Sequence, residues 1–173
     1  LDMLCNNILL SSQMESGGYQ SNKQDFNCSN MTMIAVGSFA KRYPARKFEI
    51  EVPEEVECFG EEFLIRLVLN NLIENAIKYT PITSPIKVTL NDDNGEVTIA
   101  VADLGVGIGD KDKSKVFEKF YRLEDEQIRK TKGTGLGLYL STKIIQDHKG
   151  QLILTDNQPQ GCIFKIVLPK HQS

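Results

Sequence analysis

Two glycine-rich turns constrain this chain more than any other feature, because each is joined directly to a regular element. Asp103-Leu104-Gly105-Val106-Gly107 follows the alternating run 97–102, and Gly133-Thr134-Gly135-Leu136-Gly137 leads straight into a helical pattern. Phe117-Glu118-Lys119-Phe120 lies between them, and Asn71-Leu72-Ile73-Glu74-Asn75 precedes both. A chain carrying all four blocks needs a fold that brings one strand end and two helices together. Its 173 residues suffice for one domain with a true core and a short appendage.

Residues 61–79 form the clearest helix, with Phe63, Leu64, Leu67, Val68, Asn71, Leu72, Asn75 and Ala76 in one broad stripe and Pro81 beyond it. Asn71 and Asn75 therefore stand one turn apart on a largely buried face. Residues 86–90 and 97–102 alternate around Asp92-Asp93-Asn94-Gly95, which predicts a hairpin. Residues 151–155 and 162–168 predict a second. Upstream, 47–52 reads as a strand, with 56–59 as its expected hairpin partner. A short strand is expected near 25–28, and a helix capped by Ser29 or Asn30 runs to about Tyr43, where Pro44 ends it. Residues 2–19 predict a helical piece stopped by Gly17-Gly18. Residues 114–120 predict a short helix, 121–132 a mobile loop, and 134–148 a helix.

Each block also carries chemistry. The carboxamide oxygens of Asn71 and Asn75 suit Mg²⁺, which takes oxygen ligands and completes its shell with phosphates and water. Lys78, one turn on, offers a point charge to phosphate. Asp103 can accept a proton from an amine on a purine edge, facing an open pocket, while Gly105 and Gly107 allow close approach of backbone and ligand. Gly133–Gly137 opens a helix whose free N–H groups can meet phosphate. It is neither a Walker A loop, since no Lys-Ser/Thr follows, nor a Rossmann fingerprint, since a charged loop precedes it. Phe117 and Phe120 are expected to anchor one end of that loop.

In this order and spacing the blocks resemble the ATP-binding catalytic domain of sensor histidine kinases, over roughly residues 24–170. Residues 71–79 resemble the N box, 103–107 the G1 box, 117–120 the F box and 133–137 the G2 box. The resemblance implies an α/β fold: a two-layer sandwich of the Bergerat type, a mixed sheet on three helices, with a flexible ATP lid. It implies Asn71 and Asn75 on Mg²⁺, and Lys78 and Tyr79 at phosphate or base. Asp103 would accept from the adenine amine, and Gly105, Gly107 and Ile108 would shape the adenine floor. Thr134, Gly135, Leu136, Gly137 and Leu138 would form the phosphate turn, with backbone N–H groups from Gly135, Leu136 and Gly137. Arg122 would approach the γ-phosphate, with Arg129 behind it. Cys162 stands where many relatives carry threonine.

Gyrase-like, Hsp90-like and anti-sigma relatives place a glutamate where this chain has Asn71. An amide cannot serve as the base that water or serine requires, whereas a neutral imidazole already offers a lone pair. Asn71 thus favours transfer to histidine. Neither His148, at the end of the G2 helix where relatives carry a structural histidine, nor His171 fits the acceptor. The implied organisation is residues 1–20 as the end of a dimerising hairpin helix and 21–173 as the ATP-binding domain. Implied partners are ATP, the acceptor histidine of that hairpin, a response-regulator receiver domain, and a second subunit in the full-length protein. The alternatives are a nucleotide-sensing pseudo-kinase and an anti-sigma-type serine kinase.

The net charge of −3 argues against nucleic acid. Cys5, Cys28, Cys58 and Cys162 show no CxxC spacing and read as ordinary thiols in a reducing compartment. No apolar run is long enough to span a bilayer, and a cytoplasmic site is expected, with membrane anchoring left to the parent.

Overall fold

The computed structural model describes residues 2–123 and 135–171. Its elements are α1 (Asp2–Glu15), β1 (Gln24–Asn27), α2 (Cys28–Arg42), β2 (Phe48–Glu51), β3 (Glu57–Gly60), α3 (Glu62–Lys78), β4 (Ile86–Asp93), β5 (Glu96–Ala102), α4 (Gly137–Asp147), β6 (Gln151–Asp156) and β7 (Cys162–Pro169).

Five strands form one sheet in the order β2-β4-β5-β7-β6, parallel between β2 and β4 and antiparallel elsewhere. Alternation gives the sheet two unlike faces. Ile86, Val88 and Leu90 on β4, Ile99 and Val101 on β5, and Phe164, Ile166 and Leu168 on β7 join the core. Lys87, Thr89, Thr98 and Lys165 alternate with them and are only partly covered. The buried sides of α2, α3 and α4 complete that core, α3 with Leu64, Ile65, Val68, Leu69, Leu72, Ile73 and Ala76. This is the expected two-layer α/β sandwich with a mixed sheet.

The β4–β5 hairpin forms as predicted. Asp93 pairs with Glu96, and Asn94 and Gly95 fill the two turn positions at φ +50° and +80°, the left-handed values that such a turn requires. The β6–β7 pair is also antiparallel, as expected. The predicted pairing of 56–59 with the strand before it is corrected: β3 pairs with β1, forming a separate two-stranded sheet in which Phe26 faces Cys58. The cap of α2 moves as well. Asn27 caps it, its side chain accepting from Asn30 N–H at 2.8 Å. The helix expected over 114–120 contracts to one 3₁₀ turn, Lys115–Phe117.

α1 lies against the start of α4. Its Glu15 carboxylate accepts from Tyr139 Oη and, at 3.2 Å, from Lys119 Nζ. The following segment is tied down by Tyr19 Oη donating to Glu61 Oε1 at 2.7 Å, and by Lys23 paired with Asp147 at 3.2 Å. Among the described residues no helix is long and apolar enough to cross a membrane.

Candidate functional site

The asparagine helix touches both glycine turns. Asn71 Nδ2 donates to Ser141 Oγ at 3.1 Å, which turns the carboxamide toward the first turn of α4. A Cβ on Gly137 would stand 2.5 Å from Asn71 Oδ1, so position 137 is glycine because the carboxamide fills the space of a side chain. At the other end of the helix the Tyr79 carbonyl lies 2.8 Å from where a Cβ on Gly105 would stand. Asn75 sits between these contacts, half-buried, and Lys78 and Tyr79 are exposed at the helix end.

That loop end is fixed by a residue the sequence pattern did not single out. Arg46 is buried, and its guanidinium donates to the carbonyls of Ile77 (3.1 Å), Thr80 (3.2 Å), Ser84 (3.1 Å) and Pro81, and to Thr80 Oγ1 (2.9 Å). It therefore meets carbonyls that the end of α3 leaves unpaired. Burial holds its pKa below the ordinary arginine value.

Asp103 directly follows β5 and is 8% exposed, which corrects the expectation of a carboxylate facing an open pocket. Its Oδ1 accepts from Gly105 N–H at 2.9 Å and Cys162 N–H at 3.3 Å. Both bonds fall on one oxygen, and Oδ2 is left as the acceptor a ligand amine can meet. Burial raises the carboxyl pKa, and the two backbone donors work against that rise. Gly107, at φ +80°, approaches Gly161, whose carbonyl would be 3.6 Å from a Cβ there. Burial pushes the Cys162 thiol pKa up to about 12, with the nearby Ile108 backbone working against that rise. Ile108 packs against the core beside this strand end.

At the second turn Gly135 adopts φ +72°, and its carbonyl accepts from Phe120 N–H at 3.0 Å. A Cβ there would fall 2.7 Å from the Phe120 backbone. Leu136 is buried and Leu138 packs on the core, so their side chains serve packing. Leu136, at the N-cap position of α4, makes no side-chain capping bond, and a helix start of this kind suits an anion. Phe117 anchors as expected, edge-on to Phe164 with ring centres 6.2 Å apart. Phe120 does not anchor by its ring, which is exposed; it holds through its backbone bond to Gly135. Arg122 is exposed near the end of this described segment. Thr134, Arg129 and residues 124–133 of the expected loop and turn lie outside the described residues.

The donor set suits a hard cation carried on phosphate. Asn71 and Asn75 supply neutral amide oxygens, and Mg²⁺ completes such a shell from phosphate and water. Among the described residues no cluster of His, Cys, Asp and Glu is arranged to hold a metal by itself. His148 is structural, as expected. It is buried, its Nε2 accepts from Glu61 N–H at 3.0 Å, and Nδ1 therefore carries the proton that goes to the Ile144 carbonyl at 2.7 Å.

The sequence comparisons agree with this geometry. Residues 60–172 match the family model described as histidine kinase-, DNA gyrase B-, and HSP90-like ATPase. The chain is 28% identical over 160 residues to the signal transduction histidine-protein kinase BaeS of Escherichia coli, covering 91% of this chain and 34% of BaeS. It is 35% identical over 147 residues to the adaptive-response sensory kinase SasA of a Nostoc species, covering 83% and 36%. The chain thus spans about a third of the length of these relatives. The nucleotide-free catalytic domain of the histidine kinase ThkA superposes with a TM-score of 0.76 at 30% identity, covering 86% of this chain and 98% of that domain. The chain belongs to the histidine kinase-, DNA gyrase B-, and HSP90-like ATPase family, as an ATP-binding catalytic domain of the sensor histidine kinase type.

Proposed function

We propose that this domain binds Mg²⁺-ATP in the cleft bounded by Asn71, Asp103 and the start of α4, and transfers the γ-phosphoryl group to a histidine of a dimerising helical hairpin. The observation that carries the reading is the placement of Asn71. Its carboxamide is oriented by Ser141 against Gly137, at the turn whose N–H groups can hold phosphate. In this position an amide orients and binds but cannot take a proton from water, so hydrolysis is disfavoured and an imidazole acceptor is left as the competent nucleophile.

Asn71 and Asn75 would hold Mg²⁺, which when bound would neutralise charge on the phosphates. Asp103 Oδ2 accepts from the base amine, with Gly105, Gly107 and Ile108 along the base. Lys78 and Tyr79 would meet phosphate or base, Arg122 would approach the γ-phosphate, and backbone N–H groups from Gly135, Leu136 and Gly137 would hold the phosphates. In this reading residues 1–20, with α1, belong to the second hairpin helix. The parent works as a homodimer in the cytoplasm or anchored at its membrane face, and a response-regulator receiver domain takes the phosphoryl group onward. No nucleic acid is involved.

The test is labelling of the full-length parent with γ-labelled Mg²⁺-ATP. Acid-labile, alkali-stable label on a histidine upstream of this domain is expected, and Asn71→Ala should abolish it. Rapid release of inorganic phosphate with no phosphohistidine, or label mapped to His148, would overturn the reading.

A further inference from the structure

The turn joining β6 to β7 is moulded on the backbone of Asp103 and Leu104. Asn157 Nδ2 donates to the Asp103 carbonyl at 2.9 Å, and Gln160 Nε2 donates to the Leu104 carbonyl at 3.1 Å. Gly161, at φ +102°, brings the chain so close that a Cβ would fall 2.0 Å from the Asp103 carbonyl oxygen. From the next residue, Cys162 O accepts from Asp103 N–H at 2.9 Å, and Cys162 N–H reaches Asp103 Oδ1 at 3.3 Å. The N–H, the C=O and one carboxylate oxygen of Asp103 are thus all bonded to residues 157–162. Asn157 is itself held in place. Its Oδ1 accepts from Gln158 N–H at 2.8 Å, and its own N–H donates to the Gly161 carbonyl at 3.0 Å. With the oxygen so engaged, the amide nitrogen can only point at Asp103.

We propose that Asn157 is a positioning residue for nucleobase selection: by holding the Asp103 carbonyl it sets the rotation of the carboxylate that meets the base. The inference rests on Asp103 acting as the base acceptor. The Asp103–Leu104 peptide leads directly to Gly105, whose N–H fixes Oδ1. Rotating that peptide carries the Gly105 donor away and turns Oδ2 out of line. A base with an amine at that place, as in adenine, is preferred over one with a carbonyl, as in guanine, only while Oδ2 is held in line. Asn157 therefore governs the ratio of the two affinities, through Asp103.

The substitution Asn157→Asp keeps the side-chain shape and the bond from Gln158 N–H, but replaces the donor with an acceptor facing the Asp103 carbonyl. Calorimetric titration of Mg²⁺-ATP and Mg²⁺-GTP would compare the wild type, N157D, N157A, D103A and D103A/N157D, with thermal unfolding of each. In N157D and N157A, ATP binding should weaken roughly three- to tenfold, the loss expected of one hydrogen bond. GTP binding should weaken less, so that the ATP/GTP ratio narrows. In the D103A background N157D should leave the ratio unchanged. Equal weakening of both nucleotides, an unchanged ratio, or a narrowing that persists without Asp103 would overturn the proposal and make Asn157 a turn residue only. A wild-type ratio in D103A alone would overturn the assignment of Asp103 itself. If N157D fails to fold, N157A, which adds no charge, gives the same comparison.

Discussion

The Asn71 carboxamide occupies the place where Gly137 would carry a side chain, with Oδ1 2.5 Å from that Cβ position. The two residues come from blocks 66 positions apart in the sequence, and each explains the other's identity. Gly137→Ala should therefore have a divided effect. Alanine favours a helix over glycine by about 1 kcal/mol, and the amide end of Asn71 can swing aside, so thermal stability should stay near the wild type. Displacing the amide breaks its bond to Ser141 and removes a donor oxygen from its place. Mg²⁺-ATP affinity should fall about tenfold or more, as for other losses of ligand orientation. Adding Asn71→Ala to Gly137→Ala should cost little further affinity in calorimetry. Strictly additive losses would separate the two residues.

Arg46 ties down the end of α3 and the loop after it through five hydrogen bonds. Replacing it with methionine leaves the carbonyls of Ile77, Thr80 and Ser84 without their shared donor. The cost of leaving them unmet exceeds the gain from removing a desolvated cation, and the expected loss is about 2–3 kcal/mol in urea unfolding. Arg46→Lys should recover only part of it, since one ammonium cannot span the same fork. ATP affinity should fall in both variants even where folding is complete, because the held segment includes the Tyr79 carbonyl against Gly105.

These residues mark the limit of what the sequence pattern reveals. The β4–β5 hairpin was legible because its turn chemistry is local: Asn94 and Gly95 take the left-handed backbone that the motif predicts. The helix α3 was legible because its apolar period holds over 17 residues, but its buried stripe lies one position further round than expected: Ile65, Leu69 and Ile73 join Leu64, Val68, Leu72 and Ala76, while Phe63 is exposed. The partner of β3 was not legible. Its four residues pair with β1 some thirty positions upstream, and so short a strand carries no mark of a distant register. Arg46 and Asn157 were silent for a related reason. Each is a polar residue in a loop, where exposure is the ordinary outcome, and only the fold brings orphan carbonyls to them. The glycines and asparagines of the candidate site stood out in the sequence, and the residues that hold them in place did not.

His148 predicts a pH dependence of folding. Burial lowers its pKa below the ordinary 6.5. Well above pH 6.5 the ring is neutral in the fold, and the Glu61 N–H bond to Nε2 is intact. As pH falls below 6.5 the unfolded chain takes up the proton more readily than the folded one, so stability is lost progressively toward the lower folded value. Urea unfolding at pH 7.5 and 5.5 should show this loss in the wild type and a clearly smaller pH difference in His148→Gln. An equal difference in both proteins would place the titrating group elsewhere.

Asp103→Asn separates stability from binding, and the geometry sharpens what to expect. An asparagine in the same rotamer can keep Oδ1 on the Gly105 and Cys162 N–H groups, while removing a buried charge whose pKa burial raises. Folding should be as stable as in the wild type or more so. The amide nitrogen then stands where Oδ2 stood, and it meets the base amine donor to donor. Turning the amide over restores the base contact only by setting its N–H groups against two backbone N–H donors. Neither orientation satisfies both sides, so the loss should reach the upper part of the range for a charge-assisted bond, about 1.5–3 kcal/mol, or roughly 10–150-fold in Kd. Calorimetry with ATP and thermal unfolding of the same samples decide it. An Asp103→Asn protein that is as stable as the wild type and binds ATP equally well would show that Oδ2 makes no contact with the base.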